Sequence, residues 1–157
     1  GLYSSPYFEV RVDNEIDHAK RYQRPLSLLM VDIDDFKDFN NRFGHQVGND
    51  LIGEIGKAIR NSIRSVDAGF RYTGEQFIVL LPETESENAS IVAERIRSSV
   101  NETPINDTLE TKTKISVSIG LIECTSNEGK QQLIERAQKA MQSAKLNGKN
   151  CVHIDKH

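Results

Sequence analysis

The sequence predicts an α+β fold, a central antiparallel-mixed sheet flanked by helices around a β-α-β-β-α-β core. Three observations lead to it. An apolar run, Leu26–Ile33, follows the breaker Arg24-Pro25 and ends in acids, as a buried strand does. Two further runs, Gly69–Tyr72 and Phe77–Leu81, are joined only by Thr73-Gly74-Glu75-Gln76 and read as a β-hairpin. Between these runs, apolar residues recur at helical spacing.

Each element has its own signal. From Ser5 to about Arg21, Phe8, Val12, Ile16 and Ala19 recur at spacings of four and three, and Pro6 suits a first helical turn. Phe36–Phe43 reads as one or two helical turns closed by Gly44. Asp50–Ile63 reads as a helix with Leu51, Ile52, Ile55, Ile59 and Ile63 along one face. Pro82 ends the hairpin. Asn88–Val100 is expected to be helical with Ile91, Val92, Ile96 and Val100 inward. Ile115–Leu121 alternates Ile115, Val117, Ile119 and Leu121, a strand pattern. Gln131–Lys145 reads as a helix closed by Asn147-Gly148, and Val152–Ile154 as a short last strand.

Without the first helix, this order is the split βαβ, ferredoxin-like arrangement with an α-β appendage. Right-handed crossovers then make the strands ending at Asp32 and Tyr72 parallel, with the Phe77 strand returning between them. Asp32 and Glu75 are thereby expected at one edge of the sheet.

Composition bounds the function. At 157 residues the expectation is a single domain spanning 1–157. With 37% hydrophobic and 27% charged residues, the chain is neither collagen-like, nor low-complexity, nor a disulfide-dense mini-protein. Lys+Arg is 20 against 23 Asp+Glu, a net charge of −3, which argues against a nucleic-acid partner but not against one bound nucleotide. The longest apolar runs, Leu28–Val31 and Phe77–Leu81, fall far short of the ~20 residues that cross a bilayer, so no membrane contact is expected of this segment. The chain opens at Gly1-Leu2-Tyr3 with no signal peptide, so a domain excised from a longer multidomain protein is expected. Its expected location is the cytoplasm, with room for a membrane anchor in the full-length protein. Cys124 and Cys151 lie far apart with no CxxC pattern and read as reduced core thiols.

The chemistry is concentrated at Asp32-Ile33-Asp34-Asp35-Phe36-Lys37-Asp38, four carboxylates in seven residues at a strand end. Composition alone leaves this open between a solvated acidic loop and a hard-cation site. Mg²⁺ favours a few carboxylates together with water and phosphate oxygens, and Asp32 with Glu75 would supply such a pair. Lys37 and a helix N-terminus just downstream suit a phosphate.

These residues resemble the GGDEF domain, the catalytic module of diguanylate cyclases. The resemblance rests on Arg71-Tyr72-Thr73-Gly74-Glu75-Gln76-Phe77 and on the Asp32–Lys37 segment. Asn40-Asn41-Arg42-Phe43-Gly44-His45, Leu80-Leu81-Pro82, Ser116-Val117-Ser118-Ile119-Gly120 and Ala144-Lys145 support it in order. It implies a palm-like fold shared with nucleotidyl cyclases and polymerases. It also implies joining of two GTP molecules into cyclic di-GMP and two diphosphates at the interface of a homodimer, with Mg²⁺ or Mn²⁺. By position, Asp32, the carbonyl of Ile33 and Glu75 would hold the metal. Amides around Asp35 and Phe36, with Lys37, Lys145 and Lys149, would meet the triphosphate, and Asn40 and Asn49 the guanine. Arg64-Ser65-Val66-Asp67, nine residues before the signature turn, matches the family's RxxD inhibitory site for cyclic di-GMP, with Arg95 as a second arginine or a solvated one.

Departures from the family pattern bear on activity. Thr73 replaces the first signature glycine; a β-branched residue is costly at positive φ, so another turn geometry is expected while Gly74 remains. Gln76 replaces Glu and carries no charge, either tolerated because Glu75 is kept or crippling to turnover. Asn49 replaces Asp, and its NH₂ would oppose a guanine donor. That either weakens GTP binding or moves the base preference towards adenine. Lys149 stands for the usual Arg and loses a bidentate fork. Three functions fit these residues: an active diguanylate cyclase, a degenerate domain that binds cyclic di-GMP or GTP and regulates a partner, or a dimerisation module. His45 reads as structural, and Tyr3, Tyr7 and Phe8 as packing residues.

Overall fold

The computed structural model describes residues 5–103, 114–125 and 127–155. Its central strand, β1 (Leu26–Ile33), is buried along its whole length because both its faces are covered. The order along the chain is α1 (Ser5–Tyr22), β1, α2 (Phe36–Phe43), α3 (His45–Ser62), β2 (Ala68–Thr73), β3 (Gln76–Pro82), α4 (Ser86–Asn101), β4 (Val117–Glu123), α5 (Lys130–Leu146) and β5 (Val152–Asp155). The sheet runs β2-β3-β1-β4-β5. β1 is antiparallel to β3 and β4, and β5 lies parallel to β4. β3 therefore returns between parallel β1 and β2, as the crossover rule requires.

Strand alternation sorts the core into two layers. Leu29, Val31 and Ile33 pack with Ile55 and Ile59 of α3 and Ala93 and Ile96 of α4. Leu28 and Met30 pack on the other side with Phe8 and Val12 of α1 and Ala137 and Met141 of α5. Each fully buried large side chain contributes about 1.5–3 kcal/mol. Asp32 and Asp34 continue the second set past the end of β1 and so face α5. α5 comes close because Gly120 is under it: a Cβ there would lie 2.3 Å from the Met141 amide nitrogen and 2.6 Å from the Ala137 carbonyl.

Three expectations need correction. α3 begins at His45 rather than Asp50. In the stretch 45–49 only Val47, four residues before Leu51, extends the apolar stripe, too little to announce a helix, and the stretch packs against α2. There Gly48 leaves space that a Cβ would take from Asn40 Oδ1, at 1.8 Å. Ile91 is 57% exposed. The inward stripe of α4 is Ala89, Ala93, Ile96 and Val100, which puts Ile91 on the opposite side of a 3.6-residue turn. Tyr7 is half-exposed, although its ring lies 6.3 Å from that of Phe70, while Phe8 is buried as expected. Tyr3 lies outside the described residues. Both cysteines are free. Burial pushes the Cys124 thiol up to about 12, with nearby Glu128 adding to the effect, so it remains a protonated packing group. No helix among the described residues is long and apolar enough to cross a membrane.

Candidate active site

The end of β1 and the β2–β3 turn meet as expected. The Ile33 N–H donates to the Glu75 carbonyl at 3.1 Å, which makes the Asp32–Gln76 register pair a non-hydrogen-bonded one with close side chains. Gln76 Nε2 accordingly donates to Asp32 Oδ2 at 2.8 Å. From α5, the Lys145 ammonium lies 2.9 Å from Asp32 Oδ1 and 3.3 Å from Asp34 Oδ1. Asp32 is only 5% exposed, so this cation offsets the cost of burying its charge. Among the described residues the Glu75 carboxylate makes no hydrogen bond or ion pair.

Asp34 is different. Its Oδ1 accepts from Ser118 Oγ at 2.6 Å, and its Oδ2 from Ser116 Oγ at 2.7 Å and the Asn150 N–H at 3.0 Å. It ties the ends of β1, β4 and the approach to β5 together. Asp35 caps α2 with left-handed backbone, φ 56° and ψ 34°, and its side chain makes no cap bond. The first-turn N–H groups of α2 thus point outward beside Lys37, which is exposed. Lys149 Nζ reaches back to Asp35 Oδ1 at 2.6 Å, and that bond raises the lysine's pKa.

Phe36 and Asn40, one turn apart on α2, both face Gly48 of α3. Asn40 Oδ1 is buried and has no hydrogen-bond partner among the described residues. An orphaned buried acceptor is uncommon and calls for a donor from outside the chain. Asn49 is the next residue on α3, exposed, and free of side-chain bonds among the described residues.

The donor set suits a hard cation. Asp32, the Ile33 carbonyl and Glu75 offer oxygen only, and the described residues hold no group of three or more His, Cys, Asp and Glu side chains around one point. Two carboxylates and a carbonyl are the kind of partial set that could hold Mg²⁺ together with water and phosphate oxygens.

The end of β1, the β2–β3 turn, the α2 N-terminus and the orphaned acceptor one turn on thus lie at one edge of the sheet. The family profile described as "Diguanylate cyclase, GGDEF domain" matches residues 1–151. This chain belongs to the GGDEF family. It is 36% identical to diguanylate cyclase DosC of Escherichia coli K12 over 140 residues, 89% of this chain and 30% of that protein. It is 38% identical to diguanylate cyclase A of Treponema denticola over 143 residues, 90% of this chain and 38% of that protein. The chain therefore spans about a third of either relative's length. The coiled coil and GGDEF domain of DgcB from Caulobacter crescentus, solved with c-di-GMP, superposes with a TM-score of 0.92 at 26% identity, covering 98% of this chain and 82% of that one.

Within the GGDEF frame, the RxxD loop lies at the opposite end of the hairpin from Glu75. Arg64 closes on Asp67 with Nε–Oδ2 at 3.1 Å and Nη2–Oδ1 at 2.8 Å, and its backbone N–H adds a bond to Oδ2 at 2.8 Å. The same fork reaches the Pro82 carbonyl and Thr84 Oγ1. Arg95 Nη1 donates to the Ser62 carbonyl at 3.0 Å, two residues before Arg64 in the chain. Arg95 is exposed, and this bond holds it near the RxxD loop.

The GGDEF departures also find their geometry. Thr73 pairs with Gln76 across a turn of Gly74 and Glu75, and left-handed backbone occurs at neither Thr73 nor Gly74. The strand register shifts between Arg71 and Thr73, and this irregularity replaces the positive-φ turn that a Thr would resist. Sequence reasoning assigned no role to Gln138, Ser116, Ser118 or Thr84. Gln138 stands two turns before Lys145 on α5, and that spacing was a signal available for it.

Proposed function

We propose that this domain is a diguanylate cyclase module with slowed turnover, joining two GTP molecules into cyclic di-GMP and two diphosphates as a homodimer. The observation that carries this reading is the oxygen set of Asp32, Ile33 and Glu75 beside the α2 N-terminus. Each protomer would hold one GTP. Its triphosphate would lie on the amides around Asp35 and Phe36, with Lys37, Lys145 and Lys149 balancing its charge. Asn40 Oδ1 would accept from the guanine edge, and Asn49 would stand beside it with one mismatched donor. Mg²⁺ or Mn²⁺, when bound by Asp32, the Ile33 carbonyl and Glu75, would polarise the α-phosphate and lower the pKa of the attacking 3′-hydroxyl. Each 3′-oxygen forms a bond to the other nucleotide's α-phosphorus as diphosphate leaves, and a carboxylate accepts the proton. Glu75 is suited to that role; the neutral amide of Gln76 is not.

A second reading, a regulatory domain that binds GTP or cyclic di-GMP without turnover, is favoured by one observation. Gln76 puts a neutral amide, not a carboxylate, against Asp32. Incubation with GTP and Mg²⁺ or Mn²⁺ at high protein concentration, with chromatography of the nucleotides, separates the two. Slow cyclic di-GMP formation that rises in Gln76→Glu supports the cyclase. No product from either protein, with GTP still bound, supports the regulatory reading. Cyclic di-GMP itself is proposed to bind at Arg64, Asp67 and Arg95, and calorimetry should detect binding that disappears in Arg64→Ala.

A further inference from the structure

Two residues that look like separate losses in the sequence touch each other. Thr73 Oγ1 lies 3.1 Å from Gln76 Oε1, and Gln138 Nε2 donates to the same oxygen at 3.0 Å. The Asp32 carboxylate only accepts, so the amide atom that faces its Oδ2 at 2.8 Å is the NH₂ of Gln76. The other end is then the carbonyl oxygen, and it takes the Thr73 hydroxyl and the Gln138 amide as donors. The reverse contact, Gln76 Nε2 to Gln138 Oε1, is longer at 3.5 Å. With Lys145 on Oδ1, both oxygens of the Asp32 carboxylate are held by donors of this chain. A Glu at position 76 would instead bring a second negative charge against Asp32, an arrangement that needs a cation to be stable.

We propose that Thr73, Gln76 and Gln138 form one positioning network that latches the Asp32 carboxylate in place of a cation, so that a metal–nucleotide complex must displace the Gln76 amide to reach it. Thr73 and Gln138 act through Gln76 and touch neither metal nor nucleotide. The Thr and Gln departures are one matched unit. The latch itself stands on side-chain geometry; its effect on the metal rests on the proposed GTP reading.

The test uses the side-chain amide resonance of Gln76, identified by its loss in Gln76→Glu, together with binding of α,β-methylene GTP, which cannot transfer its α-phosphoryl group. In the unmodified chain one Gln76 amide proton should be shifted downfield and slow to exchange. Thr73→Val and Gln138→Leu should each reduce that shift. The double variant should show less change than the two single changes added, because both donors serve one oxygen. Thr73→Ser should restore the shift. The Mg²⁺ concentration for half-maximal analogue binding should fall roughly 3- to 10-fold in the double variant, the size of one net hydrogen bond. A Gln76 amide resonance identical in the double variant overturns the latch, as does a Mg²⁺ midpoint that fails to fall in a variant that binds. If no protein in the series binds the analogue, the GTP reading fails while the resonance still decides the latch.

Discussion

The two ends of the β2–β3 hairpin use carboxylates in opposite ways. At the turn end, the Glu75 carboxylate has no partner among the described residues, and the Asp32 carboxylate is met only by an amide and the Lys145 ammonium. At the other end, the Asp67 side chain is fully buried and takes three donors from Arg64 alone. Asp67, bonded on both oxygens by its own chain and closed to solvent, is a joint; the Glu75 carboxylate is open to a cation, and Asp32 keeps one donor on each oxygen that a cation would have to displace. Asp34 shows that the distinction also holds within the turn end, since it lies two residues from Asp32 and behaves as Asp67 does.

The largest expected effect breaks the Asp32–Asp34 contrast. Asp34→Ala strands two serine hydroxyls, an amide and part of the Lys145 charge inside the fold, and should cost about 3–5 kcal/mol in urea denaturation. Asp32→Asn should cost less, about 1–3 kcal/mol, since an amide oxygen still accepts from Lys145 but its NH₂ opposes that of Gln76, while Mg·GTP binding is weakened. Equal losses of stability would show that both are joints.

At the far end, Asp67→Ala should cost about 1–3 kcal/mol. The figure is held down because the Arg64 side chain is 55% exposed and water can take up its freed N–H groups. A change near zero, read by the same denaturation, would make the RxxD loop an open site rather than a joint.

Asn49→Asp sharpens the reading of the open edge. Replacing a mismatched donor with an acceptor should tighten GTP by about 1–3 kcal/mol in calorimetry, with little change in stability. Unchanged affinity would mean that residue 49 does not face the base.

The smallest effect is a control on an ordinary ion pair. Burial by itself would raise the Glu128 pKa, but hydrogen bonds from Arg136 and Thr125 outweigh it and hold the carboxyl below its usual range. A lowered folded-state pKa means the contribution is present above the ordinary carboxylate value and is lost as pH falls through the lowered one. Glu128→Gln should therefore cost about 1 kcal/mol near neutrality, and the gap to the unmodified chain should close in acid.

Local signals in the sequence determined most of the fold. Apolar alternation, helical spacing and the tight connection at Gly74-Glu75 each depend on neighbours within a few residues, and with the crossover rule they were enough to bring Asp32 to the hairpin turn. Where the energetics are long-range, sequence was silent. The first turn of α3 and the outward side of Ile91 follow from packing against other elements, and in residues 45–49 Val47 alone carries a helical signal. Ser118, a donor on Asp34, comes from β4 and Gln138, a donor on Gln76, from α5, each more than 60 residues away. Residue type showed that Gln76 had lost a charge. Only the tertiary structure decided which atom of its amide faces Asp32, because that orientation is set by a carboxylate on the neighbouring strand, which only accepts, and is held by a threonine across the turn and a glutamine on a distant helix.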